Sequence, residues 1–143
     1  AALVSKNLPE TARAQEHRVF DPALLAELVD RLHHRPPAHA HLNKVIMKEG
    51  EGGVFMYVVL EGRVSISIKG KAVDVIGAGG VFGEMALVDQ SPRAATATCE
   101  TDCELLSINR NDFLTLVKSN PAFAVALLKG LVDRLRYMTS HHK

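Results

Sequence analysis

Hydrophobic positions near the start of the chain recur at helical spacing. Between positions 24 and 32 the apolar residues lie three or four apart, as on one face of an amphipathic helix. Asp21 can cap the first turn, and Pro22 suits the first helical position. A Pro-Pro pair at 36–37 prevents the helix from continuing. Residues 1–20 show no clear period, and we expect them to form a linker or loose helix before one domain over residues 21–143.

From about Lys44 the spacing changes to that of β-strands. Alternation of Val64, Ile66 and Ile68 with polar neighbours predicts a half-buried strand. The nearly continuous apolar run at 54–60 is typical of a strand covered on both faces. The predicted strands are 45–47, 54–60, 64–68, 73–75, 94–99 and 103–108. Short strands separated by glycine-rich turns indicate an antiparallel roll or barrel.

Helical spacing returns after the last predicted strand. Asn109 or Asn111 can cap a helix that runs through Val117, and Asn120 with Pro121 can start another. The last helix carries an apolar stripe of Phe123, Leu127, Leu128, Leu131, Val132 and Leu135. The stripe is expected to pack on the roll, with a coiled coil as the alternative. The predicted fold class is therefore mainly β with flanking helices (α+β): an antiparallel, jelly-roll-like β-roll with a short internal helix, an N-terminal helix and C-terminal helices.

The charge balance argues against polyanionic partners. Seventeen Lys and Arg against sixteen Asp and Glu leave a net charge of +1, so no electrostatic basis exists for binding nucleic acid or an anionic membrane. No apolar run approaches the roughly 20 residues of a membrane span. Cys99 and Cys103 are expected to be free thiols. We expect a cytoplasmic domain, or the cytosolic part of a membrane protein. Because the chain lacks an initiator Met, we interpret it as a processed product or a piece of a longer protein.

The segment at 79–96 carries the candidate chemistry. Gly83 precedes a predicted helical turn at 84–88, whose first backbone N–H groups can face an anion. Glu84 offers carboxylate oxygens to a sugar hydroxyl, and Arg93 offers a planar fork of donors to phosphate oxygens. This set suits a ligand with one phosphate and a neighbouring ribose. The alternative is an internal ion pair between Glu84 and Arg93 in a roll that binds nothing.

This segment resembles the phosphate-binding cassette of cyclic-nucleotide-binding domains. That family includes cAMP-dependent kinase regulatory subunits, catabolite-activator-type transcription factors and cyclic-nucleotide-gated channels. The resemblance rests on Gly-Glu-Met-Ala-Leu at 83–87 followed by Pro-Arg-Ala-Ala-Thr at 92–96. It extends over about residues 20–136, with a family-type strand ending at 57–62. The matching turn glycines are Gly50, Gly53, Gly62, Gly77 and Gly79.

The resemblance implies a role for each matching position. Glu84 is expected to bond the ribose 2′-hydroxyl, and Arg93 to pair with the cyclic phosphate. The other expected ligand-binding residues are Phe82, Gly83, Met85, Ala86, Ala94 and Ala95. Relatives with a hydroxyl side chain at the position of Ala94 can bond the amino group of guanine. Alanine therefore predicts that cAMP is preferred over cGMP.

The resemblance further implies a regulatory domain without enzymatic activity. Ligand binding would close the C-terminal helix over the base, with Leu131, Arg134 and Leu135 as candidate lid residues. This closure would control an attached effector domain or a partner protein, such as an ion channel, a transcription regulator or a kinase. The full-length protein could be a homo-oligomer. The alternative function is a degenerate β-roll that serves as a protein-interaction module without nucleotide.

Four histidines near the proline pair are candidates for metal ligands. They are His33, His34, His39 and His41. On a strand His39 and His41 would share one face, but no carboxylate or thiol follows at a zinc-type spacing. We therefore expect an exposed loop and no metal here, rather than a cupin-like metalloenzyme on a similar roll.

Overall fold

The computed structural model of the protein describes residues 18–140. Over this range the chain forms a β-roll with helices at both ends. The helices are α1 (Pro22–Arg31), α2 (Arg110–Ser119) and α3 (Pro121–Ser140), with a short 3-10 helix at Glu84–Leu87. The strands are β1 (Ala38–Ala40), β2 (Val45–Met47), β3 (Met56–Glu61), β4 (Val64–Ile68), β5 (Lys71–Ile76), β6 (Val81–Phe82), β7 (Thr96–Cys99) and β8 (Cys103–Ile108).

The strands form two four-stranded sheets. Their orders are β1-β8-β3-β6 and β2-β7-β4-β5, and every neighbouring pair is antiparallel. The predicted antiparallel roll with flanking helices is thus confirmed. Two short strands, β1 and β6, are not among the predicted ones. Each contains only two or three residues, too few for an alternating pattern to be visible in the sequence.

Strand β3 is covered on both faces, as its continuous apolar run predicts. Val58 lies in a core cluster with Leu28 and Phe123, on the side where the helices pack. Its neighbour Val59 belongs to a second cluster with Val64 of the opposite sheet. Successive residues of a strand point to opposite faces. The central sheet therefore separates a helix-covered core from the interior of the roll.

Caps fix the helix ends near the predicted positions. Asp21 accepts the backbone N–H of Leu24 at 2.8 Å and so caps α1. At α2 the cap is Asn109 rather than Asn111. Asn109 and Asp112 form a reciprocal capping box, in which each side chain accepts the other residue's backbone N–H.

The residues immediately before α1 belong to the core. Phe20 is fully buried and stacks on Phe123 of α3, with 5.5 Å between ring centroids. Val19 packs so closely on Gly130 that a Cβ added there would lie 2.5 Å from its methyl group. Both Val19 and Phe20 donate their backbone N–H to Gly79, each at 2.9 Å. The first half of α3 is therefore fastened to the roll. Of the predicted linker at 1–20, residues 1–17 lie outside the described range.

The two cysteines end one strand and begin the next. Cys99 closes β7 and Cys103 opens β8, and both are buried free thiols, as predicted. Burial, with the neighbouring Cys103, raises the pKa of Cys99 to about 11. A thiol with such a pKa is almost entirely protonated at neutral pH and is therefore a poor nucleophile. No helix among residues 18–140 is both long and apolar enough to cross a bilayer.

Candidate functional site

A cavity of about 470 Å³ opens between the second sheet, the 3-10 helix and the end of α3. All eight residues that the sequence predicts as ligand-binding line it. They are Phe82, Gly83, Glu84, Met85, Ala86, Arg93, Ala94 and Ala95. The predicted helical turn after Gly83 is the 3-10 helix, and Gly83 caps it in the left-handed conformation, with φ of 77°. The cassette thus folds into one wall of a single cavity.

Arg93 is a buried cation, and the residue is 9% exposed. Its guanidinium donates to the backbone carbonyls of Gly83 at 3.2 Å and Phe55 at 2.9 Å, and it lies 5.9 Å from the ring centre of Tyr57. Within residues 18–140 it forms no ion pair. Burying an unpaired charge is costly, so the site favours an anionic ligand.

The close approach of Gly53 holds the guanidinium in place. A Cβ built on Gly53 would lie 2.4 Å from Nε and from Nη2 of Arg93. The backbone reinforces this contact, because Arg93 donates its N–H to Glu51 and accepts the N–H of Gly50, both at 2.8 Å. The glycine-rich turn before β3 therefore positions the cation at the cavity wall. Gly52, the adjacent glycine, has nothing within 4 Å of the corresponding position.

Glu84 pairs with a residue other than Arg93. Its Oε1 lies 3.2 Å from Nη1 of Arg134 on α3, and Arg134 also donates through Nη2 to the carbonyl of Val81 at 2.9 Å. The alternative of an internal Glu84–Arg93 ion pair is therefore wrong. Within the described part of the chain, the buried Nε of Arg134 has no hydrogen-bond partner. Glu84 and Arg93 instead line the same cavity with separate partners.

Helix α3 covers the cavity with residues that differ in part from those predicted. Of the three candidate lid residues, Arg134 lines the cavity. Leu131 packs against the helix-side core, and Leu135 is 63% exposed. The other α3 residues at the cavity are Tyr137 and Met138, which sequence reasoning missed. They follow Arg134 by three and four positions, the spacing that places side chains on one helix face.

The second sheet supplies an apolar wall that the sequence-based site omitted. Ile66 and Ile68 of β4 and Met47 of β2 line the cavity opposite the cassette. Ile66 and Ile68 belong to the alternating pattern that predicts the strand. The pattern shows that one face of the strand is apolar but not whether that face covers a core or a cavity.

A hydrogen-bonded turn shapes the loop between the 3-10 helix and Arg93. Asp89 Oδ1 accepts the backbone N–H of Ser91 at 3.0 Å. This backbone bond, with a second one from the Ser91 side chain, holds the pKa of Asp89 below its usual value. The Asp89 carboxylate thus accepts the hydrogen bonds that form this turn.

His34, His39 and His41 lie outside the cavity lining and beside carboxylates. His34 lies 3.1 Å from Asp112, and His39 lies 3.1 Å from Glu104. The expectation of no metal rested on the lack of a nearby carboxylate in the sequence. That spacing argument considers only carboxylates near the histidines in the sequence, and the structure places the sequence-distant Asp102 beside His39 and His41, with candidate ligand atoms within 4.8 Å of one another. The predicted exposed loop is also partly a strand, since His39 belongs to β1.

Comparisons with known proteins identify the family to which this fold belongs. The family model described as "Cyclic nucleotide-binding domain" matches residues 38–120. The chain therefore belongs to the cyclic nucleotide-binding domain family. It is 40% identical over 113 residues to a cyclic nucleotide-gated potassium channel of Rhizobium etli, covering 78% of this chain and 30% of the channel.

Two matches from Thermus thermophilus support the same conclusion. The chain is 35% identical over 98 residues to its cyclic AMP receptor protein, covering 65% of this chain and 45% of that protein. The crystal structure of its catabolite activator protein superimposes with a TM-score of 0.67 at 33% identity, covering 79% of this chain and 56% of that chain. The chain thus spans about half or less of the length of these relatives.

Proposed function

We propose that the cavity binds a cyclic nucleotide, with cAMP preferred over cGMP, and that binding regulates an attached effector or partner protein without catalysis. The observation that carries the proposal is the buried guanidinium of Arg93, which has two carbonyl partners and, among residues 18–140, no carboxylate partner. A cyclic phosphate carries one negative charge and acceptor oxygens that match the guanidinium fork. Such a ligand would supply a negative charge opposite this guanidinium.

The neighbouring residues fit the rest of the ligand. Glu84 is one of the cavity's acceptors; Arg134 donates to its Oε1, and its Oε2 has no hydrogen-bond partner among residues 18–140. We assign it to the ribose 2′-hydroxyl. The apolar wall of Ile66 and Ile68, with Met138 from α3, suits the flat faces of a purine.

The preference for cAMP rests on Ala94. Its side chain lines the cavity and carries no hydroxyl to bond the amino group of guanine. The name of one relative fits this assignment, since the Thermus protein is called a cyclic AMP receptor protein.

The proposed regulatory movement is centred on Arg134. Its ion pair with Glu84 holds α3 against the 3-10 helix. A ribose hydroxyl that bonds to Glu84 would either replace this ion pair or share the carboxylate with it, and would thereby change how strongly α3 is held. Ligand binding shifts the position of α3 only if the ligand binds the closed arrangement more tightly. The same mechanism could regulate an ion channel, a transcription regulator or a kinase, because each would respond to the position of α3.

Calorimetric titration with cAMP and with cGMP tests the proposal. Arg93→Ala should weaken the binding of cAMP by about 10- to 100-fold, because a charge-assisted contact contributes about 1.5–3 kcal/mol. Arg63→Ala is the matched control, since Arg63 forms an exposed pair with Glu100 and lies outside the cavity lining. Its affinity should equal that of the unsubstituted chain. Unchanged affinity in Arg93→Ala would refute the phosphate assignment, and absence of heat with both nucleotides would favour a protein-interaction module.

A further inference from the structure

A second candidate site lies outside the nucleotide cavity, at the edge of the first sheet. His39 belongs to β1 and His41 follows that strand, so their two-residue spacing places both rings on one face. The rings meet edge to face, with 4.7 Å between centroids. Strand β1 pairs with β8, with Ala40 opposite Cys103. This register brings Asp102, in the turn before β8, beside the two histidines.

The three side chains present ligand atoms to a common point. One nitrogen from each histidine and one carboxylate oxygen of Asp102 all lie within 4.8 Å of one another. All three residues are exposed, so a cation and its water ligands can reach them. None of them lines the nucleotide cavity.

Hydrogen bonds already orient two of the three groups. Glu104 Oε1 lies 3.1 Å from Nδ1 of His39, which leaves Nε2 as the available ring nitrogen. A carboxylate behind a histidine is the usual arrangement at protein metal sites, where it fixes the ring and raises its basicity. Asp102 Oδ1 accepts the backbone N–H of Leu42 at 2.8 Å, which anchors this carboxylate to the segment after β1.

We propose that His39, His41 and Asp102 bind a divalent transition cation of the zinc type, with water in the remaining position. Two imidazoles and one carboxylate form a common ligand set for Zn²⁺. Bonds of about 2.0–2.1 Å in a tetrahedral site place the ligand atoms roughly 3.4 Å apart. Rotation of these exposed side chains closes the difference from the observed spacing. The ion would join the segment around β1 to the turn between β7 and β8.

A calorimetric titration of the full chain with ZnCl₂ in a non-chelating buffer tests this site. We expect one equivalent of Zn²⁺ to bind to the cluster. His41→Gln and Asp102→Asn should each weaken binding by at least about tenfold, because each removes one of three protein ligands. Glu104→Gln should weaken it by about tenfold, the lower end of the effect of removing a carboxylate behind a ligating histidine.

Two controls separate this cluster from other histidines. His33 lies in the same histidine-rich segment but outside the cluster. His33→Gln should therefore leave the affinity for Zn²⁺ unchanged. A double substitution of His141 and His142 by alanine should also retain the site. Far-UV circular dichroism of each variant verifies the fold, and because His41 and Asp102 lie on separate segments, one variant remains informative if the other unfolds.

The proposal is overturned if the chain binds no Zn²⁺, or if His41→Gln and Asp102→Asn both bind as tightly as the unsubstituted chain. Loss of binding in the His141 and His142 variant would likewise overturn it, because the terminal histidines would then be the ligands. Cyclic nucleotide titration of the cluster variants should give unchanged affinity. The metal site and the nucleotide cavity can therefore fail or succeed independently.

Discussion

Arg134 in the last helix pairs with Glu84 at the start of the 3-10 helix, with 3.2 Å between Nη1 and Oε1. The two side chains are 19% and 22% exposed, so water screens the pair less than it screens a surface ion pair. The contact joins the segment proposed to hold the ribose directly to the helix that covers the cavity. Ligand chemistry at Glu84 and the position of α3 are therefore linked through a single carboxylate.

Replacing Glu84 should abolish sensitivity to the ribose 2′-hydroxyl. The unsubstituted chain should bind cAMP about tenfold or more tightly than 2′-deoxy-cAMP, because a hydrogen bond to a charged acceptor contributes about 1.5–3 kcal/mol. In Glu84→Ala the two ligands should bind with nearly equal affinity. Competition titrations measure both values. Glu100→Ala, which removes an exposed carboxylate outside the cavity, should keep the original ratio. A persistent preference in Glu84→Ala would place the ribose elsewhere.

Introducing a hydroxyl at Ala94 should increase cGMP affinity. Ala94→Thr offers an acceptor to the guanine amino group, and a neutral hydrogen bond of about 0.5–1.5 kcal/mol corresponds to a gain of about two- to tenfold. Affinity for cAMP should change little. Calorimetry with both nucleotides gives the ratio. Ala72→Thr, on an exposed position of β5 outside the cavity lining, is the matched control. Equal gains for both nucleotides, or none for cGMP, would contradict the proposed base orientation.

Adding a methyl group at Gly53 should weaken nucleotide binding through Arg93. The new Cβ would occupy space 2.4 Å from the guanidinium, which must then leave its two carbonyl partners. Gly53→Ala should weaken cAMP by about tenfold or more, equivalent to the loss of one charge-assisted contact. Gly52→Ala meets nothing within 4 Å and should bind like the unsubstituted chain. If both variants bind cAMP as tightly as the unsubstituted chain, cAMP binding does not depend on the observed position of the Arg93 guanidinium.

Acid stability should depend on Asp112. Burial acts to raise the pKa of this carboxyl, but the backbone N–H of Asn109 and the side chains of Arg35 and His34 outweigh burial and lower it. Since the folded pKa is depressed, the stabilisation is fully present above the unfolded pKa of about 3.9 and is lost as pH falls through the folded value.

Urea unfolding of Asp112→Asn as a function of pH tests this dependence. At neutral pH the variant should be less stable by about 1.5–3 kcal/mol, the contribution of hydrogen bonds to a charged group. The difference should narrow as the pH falls below about 4. Asp133→Asn, which removes an exposed pair with Lys129, should change stability little at any pH. A constant difference between Asp112→Asn and the unsubstituted chain would mean that the charge of Asp112 contributes nothing.

The sequence predicts that the cassette residues lie together because the segment is local. Residues 82–95 turn back on themselves, so Glu84 and Arg93 reach one cavity through short-range turns and a short helix. The partners of those residues come from elsewhere in the chain. The Phe55 carbonyl that holds Arg93 and the Arg134 side chain that holds Glu84 depend on tertiary packing. Hydrophobic periodicity in a single sequence specifies neither.

The histidine cluster shows the same limit. Its spacing is visible in the sequence, but the carboxylate beside it comes from the turn between β7 and β8. Only the pairing of β1 with β8 brings Asp102 to that edge, and β1 is too short to be predicted from periodicity. A search for ligands at short, fixed spacings in the sequence would therefore miss a site whose third ligand comes from a distant segment.

Gly130 divides the last helix into two parts with different contacts. Up to that point α3 is clamped by Phe20 and Val19. Beyond it, the ten residues 131–140 form an arm about 15 Å long, at 1.5 Å of rise per residue. If ligand binding rotates this part of α3, we expect the rotation to centre on Gly130. A small displacement at Arg134 would then be larger at the end of the helix, where an effector could contact it.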